Sequence, residues 1–113
     1  MTPQSRGTDM SQTETKIKTR TTPGLGLQEP PMFKVIYIND NATSMEFVVG
    51  SLVEYFDYTP VTAEKITIDI HESGSAVVAV LPYEIAEQKG IDVTVAARSE
   101  GYPLQVKLEP ESN

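Results

Sequence analysis

The 113-residue sequence predicts one small domain built from both strands and helices. Runs rich in β-branched and aromatic residues alternate with segments whose apolar residues recur at helical spacing. Proline, glycine and capping residues separate these segments. The chain length and a hydrophobic content of 39% allow one modest core but no second domain of ordinary size.

The first strand and the first helix lie close together. Residues 33–38, FKVIYI, have strand composition and follow a pair of prolines. Thr43 and Glu46 then have the spacing of a capping box, with Thr43 as the N-cap. Apolar residues at helical offsets behind them predict a helix over about 44–56.

The segment between a Thr-Pro helix start at 59–60 and the breaker Gly74 is ambiguous. Ile66, Ile68 and Ile70 alternate with polar residues, and this period taken alone predicts a strand. Ile66 and Ile70 also fit one face of a helix. The residues alone favour the strand.

Three further elements follow Gly74. Residues 76–81 form a continuous apolar run that predicts a strand. A last helix is predicted from Pro82 to about Glu100, where a glycine stops it. Leu104, Val106 and Leu108 alternate with polar residues and predict a half-buried closing strand.

Composition excludes several classes of function. The chain has no cysteine, which excludes disulfides, thiolate metal sites and thiol nucleophiles.

The net charge of the chain is −7. Residues 1–29 carry four basic and three acidic residues, a balance of +1, so the remainder carries −8. The negative charge of residues 30–113 disfavours binding to nucleic acid and favours binding to a cationic partner such as a free amino terminus. No apolar run approaches the ~20 residues of a membrane span, so we expect no membrane association and a cytoplasmic protein.

Composition also divides the chain. Residues 1–29 consist mainly of Thr, Ser, Gln, Gly and Pro, which cannot offset their ordering entropy by burial, so we predict a disordered N-terminal extension. The core domain is predicted over 30–109, with a short C-terminal tail over 110–113.

Motifs along residues 30–108 occur in a recognisable order. They are PMFKVI at 31–36, NDN at 39–41, TSMEFVV at 43–49, His71 with Gly74, EIAE at 84–87 with Lys89, Ala97-Arg98 and Pro103-Leu104. In order and spacing they closely resemble the ClpS family of Clp protease adaptors. So many matched positions are far more specific than one short motif.

The resemblance implies a small α+β domain in which a three-stranded antiparallel sheet packs against about three helices. In that family the segment 63–73 is a helix, which would bring His71 beside the loop of residues 39–45. We adopt the helix, because tertiary context overrides local propensity.

The resemblance also implies a function. Members of this family are non-enzymatic adaptors without cofactors, and we expect a monomer. They bind substrates whose first residue is Leu, Phe, Tyr or Trp and deliver them to a Clp unfoldase, here of the ClpA or ClpC type, for degradation. The compartment would be the cytoplasm or the plastid stroma.

A free amino terminus is a cation with three donors, so a pocket that binds it needs converging acceptors beside an apolar cavity. By resemblance the amine-binding residues are Asn39, Asp40, Asn41 and His71. A neutral His71 would accept from the amine, so its protonation at low pH should weaken binding. By the same resemblance the hydrophobic pocket is formed by Thr43, Met45, Val48, Thr67, Ile70 and Leu104.

Met45 matches the family's gatekeeper position, which admits unbranched side chains and excludes β-branched ones. Two positions depart from the family pattern. Many members carry an acidic residue in place of Asn41, so one charge-assisted contact is lost here. Thr67 stands where methionine is common, so the cavity wall should be smaller and more polar.

Glu84 and Lys89 correspond to the family's docking surface for the N-terminal domain of the unfoldase.

Each role has a plainer alternative. Asn39 and Asp40 could form an ordinary turn, Val48 could be simple core, and Glu84 and Lys89 could belong to a solvated helix face. An enzymatic function is disfavoured, because the only acid-base candidates do not converge. On a helix Asp69 and Glu72 would share a face, but His71 would lie off it. A ribosome-associated or structural α+β interaction module remains the main rival function.

Overall fold

A computed structural model describes residues 30–112. In chain order the elements are β1 (Met32–Ile38), α1 (Met45–Phe56), α2 (Pro60–Ser73), β2 (Ser75–Pro82), α3 (Tyr83–Ser99) and β3 (Gln105–Pro110). The extension predicted for residues 1–29 lies outside the described residues. Across the described part of the chain, no helix has the length and apolar character needed to cross a membrane.

The three strands form one antiparallel sheet in the order β2-β1-β3, so the first strand is central. The register between β1 and β2 shifts between Val35 and Ile36, which leaves Val78 as the extra residue of a β-bulge. The Tyr58 hydroxyl donates to the Val78 carbonyl at 2.6 Å. The connection before α2 is therefore tied to the bulged strand.

One face of the sheet is covered by the helices. Strand alternation turns Val35 and Tyr37 to this face, and both are fully buried. α3 packs against all three strands, and α1 packs against α2 and α3. The buried apolar core consists of Val35, Tyr37, Val48, Leu52, Ala63, Ile70, Val78, Ala86, Val93, Ala97 and Leu104.

A buried hydrogen-bond chain joins the central strand to α1. The hydroxyls of Tyr37 and Ser51 lie 2.8 Å apart, and the Ser51 hydroxyl donates to the Val48 carbonyl at 2.8 Å. Since a serine hydroxyl has one proton, Tyr37 must be the donor to Ser51. Burial raises the pKa of the Tyr37 phenol, and the hydrogen bond to Ser51 offsets only part of that rise. The phenol therefore stays a neutral donor.

The predicted α+β architecture is confirmed: three helices pack against a three-stranded antiparallel sheet. The first strand and the first helix match their predicted spans to within one residue. The last helix begins one residue after Pro82 and ends one residue before Glu100.

The helix that the resemblance implied for residues 63–73 is confirmed, and the strand favoured by alternation is wrong. α2 begins at Pro60, behind a threonine whose side chain caps it, and ends at Gly74, whose φ of 92° favours glycine. Within the helix Ile70 is buried while Ile68 is 47% exposed. The alternating isoleucines thus lie on different faces.

The predicted N-cap of α1 is wrong by one residue. Ser44 is the cap, and its hydroxyl oxygen accepts from the Phe47 amide at 3.0 Å. The Thr43 hydroxyl instead donates to the Asp40 carboxylate at 2.8 Å. Glu46 consequently occupies the second helical position, one short of the place that a capping box requires.

We expect Ser51→Ala to destabilise the domain more than Tyr37→Phe. Ser51→Ala leaves a buried phenol without its acceptor, at a cost of ~1–3 kcal/mol, whereas Tyr37→Phe removes the donor itself at ~0.5–1.5 kcal/mol. Urea-induced unfolding of both variants measures the difference. Tyr83→Phe, which removes an exposed hydrogen bond to Glu87, should change stability by less than ~0.5 kcal/mol. Equal losses for the two buried variants would contradict the assigned donor direction.

Candidate functional site

A cavity of about 200 Å³ opens where the end of β1, the start of α1 and the last turns of α2 meet. It is lined by Asn39, Asp40, Asn41, Thr43, Met45, Val48, Thr67, Ile70 and His71. The volume is below the ~300–1,000 Å³ of typical small-molecule sites. The cavity therefore suits one large side chain better than a whole ligand.

Helical spacing explains why these side chains converge. Met45 and Val48 are three residues apart on α1, and Thr67, Ile70 and His71 follow the offsets of one face of α2. The two helices pack against each other. Their facing stripes form two walls of the cavity, and the loop after β1 forms the third.

The cavity changes character with depth. Val48, Thr67 and Ile70 are only 3–7% exposed and form its floor. Met45 is 47% exposed and stands at the mouth, with the exposed His71 and Asn41 also on the rim. An apolar interior thus lies directly beneath a polar rim.

The Thr67 hydroxyl makes the cavity wall less polar than the sequence predicts, because it is already hydrogen-bonded within α2. Its hydroxyl donates to the Ala63 carbonyl one turn back, at 2.8 Å. That bond uses the only proton of the hydroxyl, and it is internal to α2. The floor of the cavity thus has no free hydroxyl donor at this position.

Asp40 organises the loop after β1. One carboxylate oxygen accepts from the Ala42 amide at 2.8 Å and from the Thr43 amide at 2.6 Å, and the other accepts from the Thr43 hydroxyl at 2.8 Å. An ionised carboxylate has about four acceptor positions, so roughly one remains open. Most of the hydrogen-bonding capacity of Asp40 is therefore used inside the loop.

Opposing effects set the pKa of Asp40. Desolvation is the largest single influence and would raise it, but the hydrogen bonds from Thr43 and Ala42 together outweigh that effect. The positive charge of Arg98 lowers it further. The net result is a pKa below the usual aspartate value, so the rim carries a negative charge at neutral pH.

A backbone hydrogen bond places His71 at the rim. The Asn39 amide donates to the Gly74 carbonyl at 2.9 Å, which ties the end of β1 to the end of α2. His71 lies in the last turn of that helix. The strand end and the histidine are thereby held on the same side of the cavity.

Arg98 is a structural residue of the site that the sequence alone did not assign. Its guanidinium donates to the carbonyls of Tyr102 and Leu104, at 2.8 and 2.9 Å, and so holds the turn between α3 and β3. A basic residue in the last turn of a helix, just before a glycine, was the available signal. The aromatic rings of Phe47 and Tyr102, 5.4 Å apart, join this turn to α1.

The structure brings together nine of the ten residues predicted for the amine site and the hydrophobic pocket. The exception is Leu104, which is 1% exposed and lies in the core instead of on the cavity surface. Glu84 and Lys89 lie elsewhere, on α3. Five residues apart, they are separated by about 140° around the helix and do not share a face.

Within residues 30–112, no group of three or more histidine, aspartate or glutamate side chains is arranged to hold a metal ion. The chemistry visible at the cavity is that of hydrogen-bond acceptors and apolar contact. Such a site can bind an amphiphilic cation.

Comparison with known proteins places the chain among adaptors. The family model described as "ATP-dependent Clp protease adaptor protein ClpS" matches residues 28–107. ATP-dependent Clp protease adapter proteins ClpS from Clostridium acetobutylicum and Nitratidesulfovibrio vulgaris are 42% and 46% identical to it over 82 and 83 residues. These alignments cover 73% and 74% of this chain and 81% and 83% of the relatives.

A solved structure is also similar. It is that of Agrobacterium tumefaciens ClpS2 bound to L-phenylalaninamide, with a TM-score of 0.71 and 36% sequence identity. The similarity covers 74% of this chain and all of the other.

We expect the stability difference between the wild type and Asp40→Asn to depend on pH. Because folding lowers the pKa of Asp40, its ionised form stabilises the fold above ~3.9, the unfolded value, and this contribution is lost as pH falls through the folded value. At pH 7 the variant should be less stable by about 1 kcal/mol, since it keeps one acceptor oxygen but loses the charge.

Unfolding by urea at several pH values measures this difference, which should shrink as pH falls through the folded pKa of Asp40. Asp69→Asn, an exposed position on α2, should shift stability by less than ~0.5 kcal/mol at pH 7. A pH-independent gap for Asp40→Asn would show that the loop hydrogen bonds do not depend on the charge.

Proposed function

Because the chain belongs to the ClpS family of ATP-dependent Clp protease adaptor proteins, we propose that it binds the free amino terminus and first side chain of substrate proteins and delivers them to a Clp unfoldase. The observation that carries the proposal is the cavity of about 200 Å³, with an apolar floor beneath a rim of hydrogen-bond acceptors. The first side chain enters the cavity, and the amine stays at the rim.

The rim supplies what an ammonium group needs. The Asn39 side chain offers an amide oxygen and a neutral His71 offers a ring nitrogen. Asp40 contributes its negative charge and its remaining acceptor position. Asn41, on the same rim, adds an amide oxygen. Three N–H donors therefore find partners without a second full charge.

The bound compound of the similar structure supports this mode of binding. L-phenylalaninamide has a free amine, a benzyl side chain and an amide in place of a carboxylate. It therefore reproduces the first residue of a polypeptide, whose carbonyl continues into a peptide bond. A substrate beginning with phenylalanine presents the same three groups to this cavity.

Cavity size and Met45 set the preference among first residues. Leu, Phe, Tyr and Trp carry a single CH₂ at Cβ and can pass a narrow mouth, whereas Val and Ile branch there. Met45 stands at that mouth, half exposed and conformationally adaptable. We propose that Met45 excludes β-branched side chains, and that the internally bonded Thr67 leaves room for a bulky ring.

Delivery requires a second surface, and we propose that the start of α3 provides it. Glu84 lies there, and Tyr83 and Ile85 on either side of it are 44% and 48% exposed. Lys89 lies farther along α3, about 140° around the helix axis from Glu84, so the proposed surface extends onto a second face of α3. Val80, on the preceding strand, is 36% exposed. Exposed apolar groups flanked by charges are typical of protein-binding surfaces. The proposed partner is the N-terminal domain of ClpA or ClpC.

We expect labelled peptides with a free Phe, Tyr, Trp or Leu terminus to bind, and peptides with Val first or with an acetylated amine to lose at least ~10-fold in affinity. Fluorescence anisotropy measures each dissociation constant. His71→Ala should weaken every free-amine peptide, whereas Met45→Ala should mainly raise the affinity for Val-first peptides.

Glu72→Ala, at the exposed position after His71, is the matched control and should bind like the wild type. If no Phe-first or Leu-first peptide binds, the adaptor proposal fails and an interaction module without terminus recognition becomes the better interpretation. Equal binding of acetylated peptides would contradict the amine-binding rim.

Charge reversal at the α3 surface, Glu84→Lys with Lys89→Glu, should weaken binding to an isolated ClpA or ClpC N-terminal domain by about 10-fold or more. Peptide affinity should not change, because neither residue lines the cavity. Isothermal titration calorimetry measures both interactions. Glu54→Lys with Lys65→Glu, exposed on α1 and α2, is the control pair. Both pairs leave the net charge unchanged, so equal losses would show that rearranged surface charge weakens binding wherever it lies, and would reject this docking surface.

A further inference from the structure

A second depression, the α1–α3 groove, lies on the far side of α1 from the cavity. It encloses about 450 Å³ between α1, the end of α3 and the turn that follows α3. Glu54 lines this groove and is nine residues from Met45 at the cavity mouth, which is about 180° around the helix. The groove and the cavity share no lining residue. Both can therefore be occupied at the same time.

Aromatic rings provide the apolar surface of the α1–α3 groove. Phe47 and Tyr55 come from α1 and Tyr102 from the turn, and all three are half-buried. The rings of Phe47 and Tyr102 have centroids 5.4 Å apart and planes tilted by 56°. The face of an aromatic ring carries partial negative charge and attracts a cation placed over it. The groove is thus suited to a group that is both flat and positively charged.

Carboxylates surround these rings. Glu46 and Glu54 on α1 and Glu100 directly after α3 line the groove and are exposed. Among residues 30–112, none of the three takes part in a salt bridge, and no basic residue lines the groove. The guanidinium of Arg98, just before the turn, donates to backbone carbonyls. Within the described segment, the negative charge of the groove therefore has no counterion.

Gly50 keeps the floor of the groove open. It lies in the middle of α1, where glycine favours the helix less than alanine would. A Cβ at this position would meet no atom within 4 Å outside the adjacent backbone, so packing inside the domain does not require glycine. Phe47 and Glu54, one turn before and one turn after, flank the space above it. A bound group can approach the helix backbone closely here.

We propose that the α1–α3 groove binds an arginine side chain on a segment of a partner protein other than the unfoldase. A guanidinium is flat, stacks on aromatic rings and donates to carboxylates from a rigid fork. The groove has more than twice the volume of the cavity, which suits one side chain, so a short segment can enter. Residues 30–113 are strongly acidic, which attracts basic segments and repels nucleic acid.

This surface goes beyond recognition of the first residue. The start of α3, which we propose as the unfoldase contact, is at the opposite end of that helix from Glu100. The cavity is on the opposite side of α1. The adaptor can therefore hold a second protein while a substrate occupies the cavity.

The test uses hexapeptides with acetylated amino termini, so that none of them can use the amine-binding rim. Acetyl-Gly-Gly-Arg-Arg-Gly-Gly-amide is compared with peptides that carry lysine or citrulline in place of arginine. Lysine keeps the charge without the flat shape, and citrulline keeps the flat shape without the charge. Arginine should bind about 3- to 10-fold more tightly than citrulline and about 2- to 5-fold more tightly than lysine, as a cation–π contact with one or two exposed ion pairs would supply.

NMR titration of isotope-labelled protein measures these affinities and locates the site. The amide signals of residues 47–54 and 100–102 should shift. Signals that shift around the cavity rim instead would reject the groove, as would equal affinities for the three peptides.

Two changes connect the preference to the groove. Glu54→Gln with Glu100→Gln should lower the affinity for the arginine peptide to that of the citrulline peptide. Glu72→Gln with Glu111→Gln removes the same charge at exposed positions outside the groove and should change it by less than about 2-fold. Gly50→Ala should raise the urea midpoint of unfolding and yet weaken the arginine peptide by about 3-fold or more, because the methyl group fills the open space. Equal losses for the two glutamate pairs, or unchanged binding in Gly50→Ala, would overturn the inference.

A competition experiment separates this inference from the proposed function. Protein saturated with a Phe-first peptide should bind the arginine peptide with unchanged affinity. Competition between the two peptides would place the arginine in the cavity and reject the groove. If the Phe-first peptide does not bind, the proposed function fails, while the groove is still decided by the acetylated peptides.

Discussion

The hydrogen bond from the Asn39 amide to the Gly74 carbonyl holds the end of the central strand against the end of α2. Both partners are at points where regular structure stops: Asn39 follows β1, and Gly74 ends the helix in a left-handed conformation. His71 lies one turn before this junction, and the loop of Asp40 begins beside it. The relative position of the strand end and the histidine therefore depends on a backbone contact that no side-chain substitution directly removes.

Around this junction, some residues order the loop after β1 and others are placed to contact a ligand. Asp40 uses most of its acceptor capacity on Ala42 and Thr43, which leaves its charge as its main contribution to the rim. Arg98 holds the turn after α3 and also lowers the pKa of Asp40. Among residues 30–112, the side chains of Asn39 and His71 have no hydrogen-bond partner that would compete with a direct contact to a ligand. A site of this kind is preorganised, because the loop bonds are formed before any ligand arrives.

Much of the fold could be predicted from sequence, because β1 has strand composition and α1 has clear helical periodicity. α2 could not be predicted from periodicity alone, because its isoleucines alternate. Only the Thr59 cap with Pro60, the stop at Gly74 and the family resemblance identify the helix. The cap of α1 was misplaced because Asp40 competes for the Thr43 hydroxyl, a contact that spacing does not reveal. The resemblance identified nine residues that line the cavity.

The strand order has a consequence for synthesis on the ribosome. Among the elements of residues 30–112, β1 leaves the ribosome first, yet its second partner, β3, is the last to emerge. Until then the central strand is an edge, with a row of unpaired amides and carbonyls beside apolar residues such as Val35. Such an edge is a template for pairing with another chain. A nascent chain arrested before Gln105 is therefore more prone to aggregation than its short length would indicate.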